Sequence, residues 1–83
     1  MKLLYFAWVR TKTGTGEETV TPPDSVHDVA GLIEWLKLRS SGGADAFSDP
    51  SLIRVAVNQD YVEFDHPVIA SDEIAFFPPV TGG

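Results

Sequence analysis

Seven apolar residues stand in succession from Leu3 to Val9, and no other feature limits the possible folds as much. At the two-residue period of a strand, Leu3, Tyr5, Ala7 and Val9 point one way and Leu4, Phe6 and Trp8 the other. The spacing predicts a first strand over Lys2–Arg10 that is apolar on both faces. Such a strand is either central and covered twice, or covered once with a sticky outer face. The run is far too short to cross a bilayer, which takes about 20 apolar residues. Lys2 ahead of it gives a faint likeness to a secretion signal. Arg10, Thr11 and Lys12 follow at once, however, without a small-residue cleavage pattern. A cytoplasmic location is therefore expected.

The rest of the chain supplies partners for that strand. Thr13-Gly14-Thr15-Gly16 makes a turn, and Glu17–Thr21 reads as a short antiparallel return strand. The Gly-x-Gly here leads into a strand and lacks a third glycine, so it is not a phosphate loop. Pro22-Pro23 closes the hairpin. Ser25 then reads as a helix N-cap, with Asp24 and Asp28 near the positive end of the helix dipole. Val26, Val29, Leu32, Ile33 and Leu36 share one helical face, and Lys37 and Arg39 fall in the last turn. Ser40-Ser41-Gly42-Gly43 stops this helix, and a polar loop anchored by Phe47 runs to Pro50. Further strands are predicted over Leu52–Val57, with Ile53, Val55 and Val57 on one face, then over Tyr61–Phe64 and Glu73–Phe77. Asn58-Gln59-Asp60, Asp65-His66-Pro67 and Ser71-Asp72 turn the chain between them.

A chain of 83 residues has room for one core. One helix among hairpins covers only one face of a sheet. The expected fold class is therefore α+β, a β-grasp (ubiquitin-like) roll. Its mixed sheet has about five strands with one main helix, and the first and last strands lie side by side at the centre. Residues 1–83 form a single domain with a flexible C-terminal tail over 78–83.

Composition narrows the chemistry. There is no cysteine, which excludes a disulfide framework, a thiol nucleophile and a thiolate metal site. Any sulfur chemistry must use sulfur acquired after synthesis. Six basic and twelve acidic residues give a net charge of −6, which disfavours nucleic acid and anionic membrane surfaces and suits a partner with a basic surface. His27 in the helix and His66 in a turn read as structural or surface residues. The scattered carboxylates have no metal-ligand spacing, so no metal site is expected.

The chain ends Phe76-Phe77-Pro78-Pro79-Val80-Thr81-Gly82-Gly83. A glycine pair leaves the last carboxylate on backbone without side chains, able to thread a channel that any Cβ would block. Two prolines stiffen its exit from the body. The segment Asp72–Gly83 resembles the C-terminus of the molybdopterin synthase small-subunit family of sulfur carriers. Val57-Asn58-Gln59, Phe64-Asp65-His66-Pro67 and Leu4-Tyr5-Phe6-Ala7 ahead of Arg10 are similar to that family too. The loop Ser41–Ser51 matches nothing there, and Ala70-Ser71-Asp72 replaces a glycine-containing turn.

The resemblance implies a protein co-substrate rather than an enzyme on its own. An E1-like, ATP-dependent partner would adenylate the Gly83 carboxylate, with Gly82 keeping the approach narrow. Sulfur from a desulfurase or rhodanese-like donor would then displace AMP and leave a thiocarboxylate. No cofactor is bound; this covalent group is the working one. Within a heterotetrameric synthase the tail would enter the large subunit, where two deliveries of sulfur to a cyclic pterin monophosphate build the molybdopterin dithiolene. Catalytic acid-base groups would lie on the large subunit. Pro78, Pro79, Val80 and Thr81 would contact its channel.

The resemblance also favours Leu3, Tyr5, Val9, Val55, Val57, Ile74 and Phe76 as the face under the helix, although both faces of the first strand are apolar. Alternation then puts Phe6, Trp8 and Phe77 outside, joined by Arg54, Ala56 and Tyr61, as a partner-docking patch. Three other roles fit a terminal glycine pair: sulfur carriage toward thiamin thiazole or an amino acid, a ubiquitin-like protein modifier, or a passive interaction domain.

Overall fold

The computed structural model describes residues 1–79, and all structural statements below concern these. In chain order the elements are β1 (Lys2–Tyr5), α1 (Ala7–Thr13), β2 (Glu17–Thr19), α2 (Val29–Arg39), α3 (Ser41–Ala46), a 3-10 turn (Pro50–Leu52), β3 (Arg54–Val57), β4 (Asp60–Val62) and β5 (Glu73–Phe77). The strands form one sheet in the order β2-β1-β5-β3-β4. β1 and β5 are parallel at its centre, and the other neighbours are antiparallel. This is the expected β-grasp arrangement of a mixed five-stranded sheet.

The first strand is shorter than its apolar run. β1 ends at Tyr5, the Phe6 N–H makes one more bond to the Phe76 carbonyl (3.1 Å), and Ala7 turns the chain at φ 54°. That left-handed conformation brings the Ala7 Cβ close to the following carbonyl and costs about 1–2 kcal/mol. α1 follows and ends on Gly14, whose N–H bonds the Arg10 carbonyl at φ 85°. The helix swings Val9 into full burial. A strand continued to Arg10 would outrun β5, whose last ladder partner of β1 is Phe76.

The main helix also starts later than Ser25. Asp28 is the N-cap, its Oδ1 accepting from the Gly31 N–H at 2.7 Å. Residues ahead of it run beside the 64–68 segment instead. The Val29 and Ala30 N–H groups donate to the carbonyls of His66 (3.1 Å) and Phe64 (2.8 Å), and the Val68 N–H donates to His27 (3.0 Å). Tertiary pairing thus replaces the local cap. The predicted polar loop after Arg39 is in fact α3 and the 3-10 turn, with the Ser40 hydroxyl accepting from the Gly43 N–H at 2.9 Å. A Cβ at Gly43 would collide with the Leu36 carbonyl, so close packing of α2 and α3 sets this glycine.

The face assignment holds. Leu3, Tyr5, Val55, Val57, Ile74 and Phe76 are buried beneath Val29, Leu32, Ile33 and Leu36 of α2. Phe47 is the fully buried anchor, edge-on to Phe76 at a centroid distance of 4.9 Å, and Tyr5 stacks on Phe76 at 6.0 Å. No helix of the described residues is long and apolar enough to cross a membrane.

Candidate functional site: the outer sheet face and the tail exit

Strand registers fix what lies on the face away from α2. Leu4 is level with Ala75, Ala75 with Ala56, and Ala56 with Tyr61, giving an apolar row across the sheet. One step toward the C-terminal end of β5, Phe77 stands opposite Arg54, and Phe6 follows Leu4 on the neighbouring strand. Tyr61 is 78% exposed and Phe6 49%, and the Tyr61 and Phe77 rings lie 5.3 Å apart. Aromatics this exposed and this close are unusual on a face without a covering element. At the other end the face turns polar, with Lys2 paired to Glu17 at 3.4 Å.

Most, but not all, of the predicted docking residues meet here. Phe6, Tyr61 and Phe77 share the outer face with exposed Arg54. Ala56 lies on it but is only 5% exposed between its neighbouring strands. Trp8 is not part of it. Because α1 replaces the second half of the predicted strand, Trp8 packs partly on the core and lines a recess with Lys12, Asp45 and Leu52. Pro78 and Pro79 continue from β5 and are half-buried. Val80, Thr81, Gly82 and Gly83 lie outside the described residues.

One part of the site was not foreseen. A cleft of about 710 Å³ opens beside Phe77, between the start of β3 and the end of β4, lined by Ser51, Arg54, Tyr61, Glu63 and Phe64. It forms because β4 pairs with β3 only as far as Val62 and then bends toward α2. The clue in the sequence is Asp65-His66-Pro67, whose turn begins soon after Tyr61.

Electrostatics separates structural charges from exposed ones. The Tyr5 hydroxyl donates to Glu18 Oε2 (2.8 Å), and Arg39 donates to Glu18 Oε1 (2.7 Å) while its guanidinium lies 5.3 Å from the Trp35 ring centre. Burial pushes the Tyr5 hydroxyl well above its usual range, helped by Glu18, while the Arg39 hydrogen bond holds Glu18 below the usual carboxylate range. This cluster faces the core side and ties β1, β2 and α2 together. Among the described residues no three His, Cys, Asp or Glu side chains gather as a metal site.

Comparison with known proteins decides the family. The ThiS family profile matches residues 3–83. The chain belongs to the ThiS family. Among curated ThiS-type relatives, the molybdopterin synthase sulfur carrier subunit of Escherichia coli (strain K12) is 43% identical over 83 residues, spanning all of this chain and 99% of the relative. The Homo sapiens protein of the same description is 34% identical over 86 residues, spanning all of this chain and 93% of the relative. Among solved structures, a putative molybdopterin converting factor, subunit 1, from Pyrococcus furiosus superposes with a TM-score of 0.76 at 32% identity, covering 95% of each chain. SAMP1 from Haloferax volcanii gives 0.74 at 25% identity, covering 100% of this chain and 98% of the other. These neighbours share the β-grasp fold of the ThiS family.

Proposed function

We propose that this ThiS-family chain is the sulfur-carrier subunit of a molybdopterin synthase, a co-substrate rather than a catalyst by itself. The observation that carries this reading is geometric. The central strand β5 ends at half-buried Phe77, beside the exposed aromatics Phe6 and Tyr61, and Pro78 and Pro79 continue from it, so a partner seated on that face would receive the residues that follow. The names of the E. coli and human relatives supply the pathway.

The chemistry follows from a free carboxylate being a poor electrophile. The Gly83 carboxylate attacks the α-phosphate of ATP on an adenylating enzyme, releasing pyrophosphate and forming an acyl-adenylate. A persulfide on the donor protein displaces AMP to give an acyl disulfide, and a second thiol attacks the donor sulfur of that S–S bond, forming a disulfide there and releasing the C-terminal thiocarboxylate. In the large subunit its sulfur displaces an oxygen leaving group from a carbon of the pterin substrate, and hydrolysis of the resulting thioester leaves the sulfur on the pterin and returns the Gly83 carboxylate. Gly82 keeps the thread narrow, and Pro78 and Pro79 limit the conformational entropy lost on entry. Proton transfers are assigned in this reading to the large subunit. The setting is the cytoplasm.

The test is intact-mass analysis after incubation with the adenylating enzyme, ATP and a sulfur donor. The expected product is heavier by the replacement of one oxygen with sulfur, and a Gly83-deleted chain gains nothing. An unchanged mass overturns the reading. Isopeptide conjugates in its place would make the protein a modifier.

A further inference from the structure

Arg54 is a single cation set among apolar groups on the outer face. It stands opposite Phe77 on the neighbouring strand and lines the cleft with Tyr61. Lys2, Lys12, Lys37 and Arg39 each pair with a carboxylate. Arg10 and Arg54 have no such pair among the described residues, and of these two Arg54 is the one that lines the cleft. Its Nη1 donates to the carbonyls of Ser51 (3.3 Å) and Ile53 (3.1 Å), where the departure of β4 leaves the edge of β3 open. These bonds fix the direction of the guanidinium and occupy one of its nitrogens. Glu63 lines the same cleft, yet the two make no ion pair. The bonds from Ala30 to the Phe64 carbonyl (2.8 Å) and from His66 to the Glu63 carbonyl (3.1 Å) hold that segment toward α2.

Covering an unpaired guanidinium with an apolar surface costs several kcal/mol, because its hydration is lost without replacement. A partner seated on Phe6, Tyr61 and Phe77 covers Arg54 as well. We infer that the large subunit of the synthase presents a carboxylate side chain that enters the cleft beside Phe77 and pairs with Arg54. The planar fork of arginine suits a two-point contact with a carboxylate. Arg54 then acts as a specificity residue: it rejects large subunits that are apolar or basic at that point. On a carrier of net charge −6, such a contact runs opposite to the general attraction toward basic surfaces. It therefore fixes orientation rather than drawing the partners together.

The inference rests on the function proposed above, and the test keeps the two apart. Affinity of the full-length carrier for the large subunit from the same organism is measured by calorimetry at two salt concentrations. Thiocarboxylation of Gly83 is followed in parallel by intact mass. Arg54→Glu is expected to weaken binding about 100-fold and Arg54→Gln about 10-fold, the latter with a changed salt dependence. Arg54→Lys keeps the charge and falls between Arg54→Gln and the wild type. Glu63→Gln leaves affinity unchanged or raises it, and thiocarboxylation stays at wild-type rate in all four variants. Binding of Arg54→Glu within about 2-fold of wild type overturns the inference alone. So does weakening by Glu63→Gln equal to that of Arg54→Gln, which makes Glu63 the partner. Loss of thiocarboxylation with large-subunit binding intact moves the carboxylate to the adenylating enzyme, and equally overturns it. A wild-type chain that binds no large subunit overturns both.

Discussion

Asn58 and Asp72 show how much of the fold's definition rests on short polar side chains. Asn58 opens the two-residue turn between β3 and β4 at φ 51°, a left-handed conformation that asparagine tolerates better than most residues. Its Nδ2 donates to Asp72 Oδ1 (2.9 Å), and its Oδ1 accepts from the Glu73 N–H (3.0 Å). Asp72, only 8% exposed, accepts a second bond from the Ile69 N–H at 2.8 Å. The pair therefore latches the β3–β4 turn to the start of β5. Asn58→Ala loses both bonds and the turn preference, and is expected to cost about 2–3 kcal/mol in urea unfolding. Glu18 makes a pH-dependent contribution. Its carboxyl lies below the usual range in the folded state, chiefly through the Arg39 bond, so its stabilising effect is complete above the unfolded carboxylate range and is lost as pH falls through the lower folded value. Thermal melts of the wild type are expected to drop more steeply below about pH 4 than those of Glu18→Gln.

At the scale of elements, legibility in the sequence tracked locality. β5 was placed at its observed bounds, because Ser71-Asp72 and Pro78 bracket it. The buried face of α2 and its C-terminal Lys37 and Arg39 were likewise readable from spacing. Three errors have one common origin. The Leu3–Val9 run satisfies strand alternation throughout, but its ladder with β5 ends at Tyr5 opposite Phe76, one residue before β5 itself ends, and only tertiary pairing reveals that limit. Ser25 is a sound local cap, overruled by the strand-like run beside 66–68. Ser40-Ser41-Gly42-Gly43 does end α2 at Arg39, but the stretch read as a loop beyond it is α3, where Gly43 is set by contact with the Leu36 carbonyl two turns back in α2. The grouping of Phe6, Tyr61, Phe77 and Arg54 on the outer face was legible; the placement of Trp8, which α1 removed from it, and the cleft, which needs β4 to bend away at Val62, were not. The two types of glycine separate in experiment. Gly14→Ala meets open space and suffers only its φ of 85°, an expected cost of about 1 kcal/mol. Gly43→Ala meets backbone and is expected to cost more than about 2 kcal/mol, or to prevent folding, by chemical denaturation and circular dichroism.

For the molecule as a whole, the packed core and the exposed aromatics occupy opposite faces of one sheet. The α2 side holds Phe47, Phe76 and the aliphatic core, while the outer side holds Tyr61 and Phe6 in contact with water. Changes on the outer side should therefore alter association and leave the fold intact. Tyr61→Ala is expected to weaken large-subunit binding about 10- to 100-fold while moving the unfolding midpoint little, as calorimetry and urea titration on the same samples would show. Equal losses in both measurements would place Tyr61 in the folding core instead.

The parallel pairing of β1 with β5 also has a mechanical consequence. A pull on the chain beyond Phe77 acts along β5, which is bonded on one side to β1 and on the other to β3. Such a load shears both ladders together instead of peeling one bond at a time. The end of the chain is therefore anchored to the body by two ladders that must yield together.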